Sequence, residues 1–327
     1  MMAFAGRSAL ALSASILFAV AAHAQGAYPS KQITLVVPYA AGGPSDSIAR
    51  LVAESMGNTL GQTIVIENVA GAGGTTGAAR VAKAEADGYT LLIHHLALAA
   101  GASLYPKLAY DTTAAFAGIG LVNSGPFVLN GKKTLAAATA KEALDYIRAN
   151  KDKVTMGSAG VGSGSNLCNM LIQSILGVKI SEVAYRGTGP AMNDLVGGQI
   201  DFLCDQSTNA MAQIKGGTIR PFAVTSKERM KDLKDLPTMI EAGLPGFEIV
   251  QWHALYATKG TPGPVIEKLS AALEKALADP KVLARFDDFA TVLFPANARG
   301  PAATDARLKS EVELWGKVIK EAGVQAK

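Results

Sequence analysis

Beyond its first two dozen residues the sequence has no apolar run approaching the roughly 20 residues that a membrane-spanning helix needs. The body of the chain is therefore not read as crossing a bilayer. Lysine and arginine never gather into a dense run interleaved with aromatic residues, and 31 bases against 27 acids leave the charge nearly balanced. That excludes a strongly basic nucleic-acid surface. Only two cysteines occur, Cys168 and Cys204, with no C-x-x-C and few histidines nearby, so a zinc site is excluded and no metal is expected. They are open to two readings: one disulfide, if the chain is exported into an oxidising compartment, or two buried free thiols.

The motifs of nucleophilic catalysis are missing as well. No serine stands in G-x-S-x-G, there is no S-x-x-K, and only His94, His95 and His253 follow the leader. His94 and His95 are neighbours on an expected strand, where side chains alternate between faces. They should not chelate one metal together; one should be core and His95 is the candidate for the cleft. The segment Gly71 to Gly77 spells G-x-G-G-x-x-G, one residue off the dinucleotide spacing, and no acid ends the following strand. It is read as a structural turn, and no nicotinamide or other cofactor is expected.

What is present begins with a leader. Arg7 precedes an apolar run from Ala9 to Ala22, and Ala22-His23-Ala24 is the small-x-small pattern of signal-peptide cleavage. Residues 1–24 are read as a signal peptide, with a mature chain from Gln25. Their removal takes one base and no acid, leaving 30 bases against 27 acids. The remaining 300 or so residues exceed one ordinary core, so two domains are expected, and 49% hydrophobic content is ample to fill both.

Strand-length apolar runs alternate with helical patterns almost throughout, the signature of α/β units around mainly parallel sheets. Ile33 to Val37 reads as a buried strand. Pro38 to Pro44 breaks it, Ser45 or Asp46 is placed to cap a helix, and Ile48, Leu51, Val52 and Met56 recur at helical spacing. The same strand, glycine loop, helix unit returns at Lys153 to Met156, Gly157 to Ser165, and Leu167 to Ile175. A crossing strand is expected to begin at Phe127, and Phe247 to Tyr256 returns in extended form. The pattern implies two lobes joined by crossing strands, residues 28–126 with 247–327 forming one and 127–246 the other.

Each glycine loop offers backbone N–H groups at a helix N-terminus, where four donors lack intrahelical partners and the helix dipole favours an anion. Ser45, Ser158, Ser163 and Ser165 are positioned to add hydroxyl donors. Arg186, within Tyr185 to Pro190 after another strand, has the planar fork that neutralises a carboxylate. Asp205, after Ile200 to Cys204, is a candidate to cap a helix or orient a donor.

These stretches together resemble a known family. Val36 to Asp46, Glu67 to Gly74, Asp87 to Leu91, Leu104 to Asp111, Tyr185 to Pro190, Gly197 to Asp201, Leu236 to Thr238 and Gly243 to Phe247 are similar to the Bug receptors, the extracytoplasmic binding proteins of tripartite tricarboxylate transporters. The resemblance implies a type II periplasmic-binding fold that closes like a hinge around a small carboxylate in the periplasm. It implies integral membrane transporter subunits as partners, a monomer that does not insert into the membrane, and no catalytic residue. Carried onto this chain, it points to Tyr39, Ala40, Gly42, Gly43, Ser45 and Asp46 in the first loop and to Ser158, Ala159, Gly160, Gly162, Ser163 and Ser165 in the second, with His95, Tyr185, Arg186, Thr188 and Asp205 beside them. Arg186 replaces the lysine common in the family and His95 replaces a small hydroxyl residue, departures that suit a second carboxylate or an aromatic ring. A dicarboxylate or an aromatic carboxylate such as terephthalate is thus the expected ligand; a periplasmic hydrolase, a nucleotide-using enzyme and a ligand sensor are the alternatives.

Overall fold

The computed structural model describes residues 28–321. The expected signal peptide and its cleavage point lie outside them. β1 (Ile33–Val37) alternates its side chains between two cores: Ile33, Leu35 and Val37 pack with Ile48, Val52 and Met56, while Val36 packs with Ala78 and Val81. Burial on both faces is what a β-branched run without polar alternation dictates. α1 (Pro44–Leu60) starts with proline at its first position and stops at Gly61, whose left-handed backbone satisfies the Gly57 carbonyl. Gly43, and neither Ser45 nor Asp46, is the N-cap; both polar residues sit within the first turn.

β2 (Ile64–Asn68), a short 3₁₀ turn at Ala72–Gly74, α2 (Thr75–Ala82), β3 (Thr90–His95) and α3 (Leu96–Leu104) complete the first set of units. β4 (Phe116–Lys132) then crosses the molecule. It starts eleven residues before the expected Phe127, because Gly118, Gly120, Asn123, Ser124, Gly125 and Pro126 hide the strand pattern. The glycines answer to packing. A Cβ on Gly118 would lie 2.7 Å from the Thr304 side chain, and one on Gly120 would lie 2.6 Å from Leu273.

α4 (Ala140–Ala149), β5 (Thr155–Ser158), α5 (Gly164–Leu176), β6 (Ser181–Ala184), α6 (Thr188–Val196), β7 (Phe202–Gln206), α7 (Ser207–Lys215) and β8 (Ile219–Val224) form the second set. The chain returns through β9 (Val250–Thr258) and finishes with α8 (Gly263–Ala276), α9 (Pro280–Asp288), β10 (Val292–Leu293) and α10 (Pro301–Glu321).

The strands run in the order β2-β1-β3-β9-β4-β7-β5-β6, with β8 and β10 also on β4. The sheet is mixed. β1 pairs in parallel with β2 and β3, and β5 with β6 and β7, as strand–helix–strand units require. Every pairing of β4 and β9 is antiparallel, because these strands carry the chain across instead of closing such units. β4 pairs with β9 from Phe116 to Pro126 and with β7 from Phe127 to Gly131, so one strand belongs to both halves. Cys168 on α5 and Cys204 on β7 are joined in a disulfide, their Cα atoms 6.3 Å apart.

Candidate functional site

The C-terminal ends of five strands each feed a helix. β1 leads to α1 through Pro38–Gly43, β3 runs straight into α3, β5 leads to α5 through Ala159–Ser163, β6 to α6 through Tyr185–Gly187, and β7 directly to α7. Among the described residues these helix starts surround one cavity. It is lined by Tyr39, Gly43, Pro44, Ser45, His95, Phe127, Ala159, Ser163, Gly164, Ser165, Thr188, Asp205, Gln206 and Gln251. Its free space is small, about 20 Å³ for the centre of a water-sized sphere, enough for about one water.

The two glycine loops share a design. Gly42 and Gly162 both have positive φ (81° and 77°), and each gives its N–H to the side chain four residues on, to Asp46 at 3.0 Å and Asn166 at 2.8 Å. These two donors are thereby used internally, and the free N–H groups are those of the first helical turns. Asp46 is buried. Desolvation alone would raise its carboxyl, but Arg50, the Gly42 N–H and Asn68 together hold it below the usual range. The hydroxyls of Ser163 and Ser165 meet at 3.1 Å, Ser163 caps α5 at Asn166, and Ser165 accepts the Ala159 N–H.

Three imidazoles back the cavity. His95 is the N-cap of α3: its Nδ1 accepts the Ala97 N–H at 3.1 Å, which leaves Nε2 as the protonated donor. Its ring stacks on Tyr39 at 5.0 Å, and the Tyr39 hydroxyl donates to the Gly73 carbonyl at 2.7 Å. The His94 and His95 rings come within 5.0 Å of each other instead of pointing apart, since β3 ends at His95. Burial holds His94 and His253 down at about 3 and His95 well below the ordinary imidazole range, so all three are neutral. Asp205 is wholly buried, which pushes its carboxyl up to about 6 despite hydrogen bonds from Thr188, Asn209 and the Gln206 N–H. Among the described residues no Lys or Arg lines the cavity. Donors there come from backbone, hydroxyls, amides and a neutral imidazole, a set that suits an anion held by dipoles.

Of the residues expected from sequence, Tyr39, Gly43, Ser45, His95, Ala159, Ser163, Ser165, Thr188 and Asp205 meet in this cavity. Ala40, Gly42, Asp46, Ser158, Gly160, Gly162, Tyr185 and Arg186 do not line it. Ala40 gives its N–H to the Arg186 carbonyl at 2.9 Å, and Tyr185 donates its hydroxyl to Asp194 at 2.6 Å. Ser158 accepts the Gly160 N–H at 3.3 Å. Arg186 is exposed and, with Gly160 and Tyr185, lines a neighbouring groove walled by Gly73, Leu104, Tyr105 and Val161. Tyr105 spans this groove to the Val161 carbonyl at 2.6 Å, and a Cβ on Gly73 would overlap that carbonyl.

Pro44 and Gly164 stand inside the two glycine loops to which the resemblance points, whereas Phe127, Gln206 and Gln251 were not expected from sequence. Gln206 directly follows Asp205 at a helix start, a signal that could have found it. Gln251 carries no local signal.

A model of the tripartite tricarboxylate transporter family receptors matches residues 48–324 of the chain. Three solved structures are similar over nearly its whole length. The periplasmic binding protein BugD is 42% identical, with a TM-score of 0.89, over 92% of this chain and all of that one. MatC of Rhodopseudomonas palustris, with bound malate, is 38% identical with a TM-score of 0.87, over 89% of this chain and all of that one. A second R. palustris protein, with adipate, is 30% identical with a TM-score of 0.86, over 92% of this chain and all of that one.

Proposed function

The chain belongs to the tripartite tricarboxylate transporter receptor family, and from that premise we propose that it captures a small organic carboxylate in the periplasm and delivers it to the membrane subunits of such a transporter. Residues 28–126 with 247–327 act as one lobe and 127–246 as the other, hinged on the strands that cross between them, and the protein works as a monomer. Opening of this hinge enlarges the cavity beyond its present room for about one water, and one carboxylate then sits between the first turns of α1 and α5, with the hydroxyls of Ser45, Ser163 and Thr188 and the His95 imidazole beside it. The convergence of five helix N-termini on one buried cavity carries this reading. Malate in one relative and adipate in another support the dicarboxylate class.

A second reading has one observation in its favour. Ser45 Oγ lies 3.1 Å from His253 Nε2, the spacing of a nucleophile and its base. The other ring nitrogen of His253 has no partner among the described residues, so no third group orients it. A base held at about 3 is also a poor proton acceptor. The receptor reading therefore stands ahead of a hydrolase.

A thermal-shift panel tests it. Malate, succinate, adipate and terephthalate are compared with their diamides, each acid being recovered and identified afterwards. A bound acid at 100 times its dissociation constant stabilises by about 2.7 kcal/mol. At least one acid should do so and return unchanged, and its diamide should not. Equal stabilisation by the diamide, or steady conversion of the acid, would overturn the proposal.

A further inference from the structure

The cavity holds acceptors as well as donors. Gln251, on the crossing strand β9, is 2% exposed and lines it, and its Oε1 is buried without a hydrogen-bond partner among the described residues. Its position is set by two contacts. β9 pairs Gln251 with Gly125 of β4, and the side chain reaches the start of α5, where a Cβ on Gly164 would lie 3.1 Å from Nε2 and 3.2 Å from Oε1. Glycine at the first position of α5 thus makes room for the amide beside the N–H groups offered to an anion. Asp205 lines the same cavity; it accepts the Gln206 N–H at 2.8 Å and Asn209 at 2.5 Å, and a carboxylate has further lone pairs to fill.

A bare carboxylate or a hydrocarbon chain gives such acceptors nothing, and a buried acceptor left unpaired is costly. Building on the carboxylate reading above, we infer that Gln251 reads a hydroxyl on the carbon next to the bound carboxylate, which makes the ligand a 2-hydroxy carboxylate. The amide lies beside the first residue of α5, so that the first turn of α5 takes the carboxylate and the Gln251 amide takes the hydroxyl of the adjoining carbon. An ammonium group at that carbon would donate equally well, with the Asp205 carboxyl to offset its charge, but the unpaired Oε1 belongs to a neutral amide and is satisfied by a neutral hydroxyl alone. Gln251 is in these terms a specificity residue: it decides between acids that differ by one oxygen.

Calorimetry on matched pairs tests this: malate with succinate, citrate with tricarballylate, and mandelate with phenylacetate, each with the wild-type protein and with Gln251→Met, which keeps the volume and removes the hydrogen bonds. The hydroxy member of whichever pair binds should bind at least tenfold more tightly to the wild-type protein. In Gln251→Met the hydroxy acid should fall to the level of its deoxy partner, while the deoxy acid stays within about threefold. Equal affinity within the pair overturns the inference even if the variant does not fold. So does a variant that weakens both members alike. Binding of the deoxy acids alone would overturn this inference and leave the carboxylate reading intact; binding of none of the six, with none of the acids of the thermal-shift panel, would overturn both.

Discussion

Arg186 and Asp205 show how differently two charged residues that follow neighbouring strand–helix units are placed. Asp205 has no exposed surface and faces the cavity, whereas Arg186 is exposed on the groove beyond it. A solvated charge at a rim acts mainly by attracting an anion from a distance and is screened by salt. Arg186→Ala is therefore expected to weaken acid binding less than about fivefold at low salt and by less still at high salt. Calorimetry at two ionic strengths checks this, and a loss beyond tenfold that persists at high salt would mean that the guanidinium turns into the cavity when ligand binds.

At the scale of elements, the disulfide joins the first half of α5 to the middle of β7, the two elements whose ends bring Ser163, Ser165 and Asp205 to the cavity. Closing a loop of 36 residues would stabilise by about 3.8 kcal/mol in the chain-entropy model. Cys168→Ala with Cys204→Ala should lower the unfolding free energy by about 2–4 kcal/mol while the variant still binds its acid. Denaturant unfolding measures the first and a binding isotherm the second. An unchanged midpoint would show that α5 is held by its packing on β5 and β7 alone. Gly42 and Gly162 work at the same scale: each spends its N–H on the side chain four residues on, and so fixes the direction in which the first turns of α1 and α5 point.

For the whole molecule, the three neutral imidazoles set a pH dependence. Unfolded histidine titrates near 6.5, whereas His94 and His253 are held at about 3 and His95 well below its usual range. As pH falls below about 6.5 the unfolded chain takes up protons that the folded one refuses. Stability is thus complete above that pH and is lost below it, by up to about 1.4 kcal/mol per pH unit for each histidine. Asp205 has the opposite sign. With its carboxyl at about 6 against about 3.9 when unfolded, the folded protein takes up this proton first, and stability gains from it as pH falls through that window. Glu182, which burial also raises, acts in the same sense as Asp205, and three imidazoles against these two carboxyls leave a net loss. The melting temperature should fall steadily from pH 7 to pH 4.5, and a flat or rising profile would show that water or a counter-charge reaches the imidazoles.

The strand, loop and helix units were legible in the sequence because their chemistry is local. A strand run, a glycine that takes positive φ and a helix start lie within about ten residues of one another, and eight of the cavity residues belong to such units. Where these units would sit relative to the crossing strands was not legible. The glycines of β4 disguise a strand, since they exist to admit Thr304 and Leu273 from far along the chain. Tertiary structure alone left Arg186 exposed on the neighbouring groove, because the direction of one side chain after a strand depends on what packs around it. It alone brought Gln251 to the start of α5, through the pairing of β9 with β4, and local sequence carries no trace of a contact between residues so far apart. Local patterns were enough to dictate α/β units whose glycine loops lead into helix N-termini. Which groups close the cavity was decided by the register of two crossing strands.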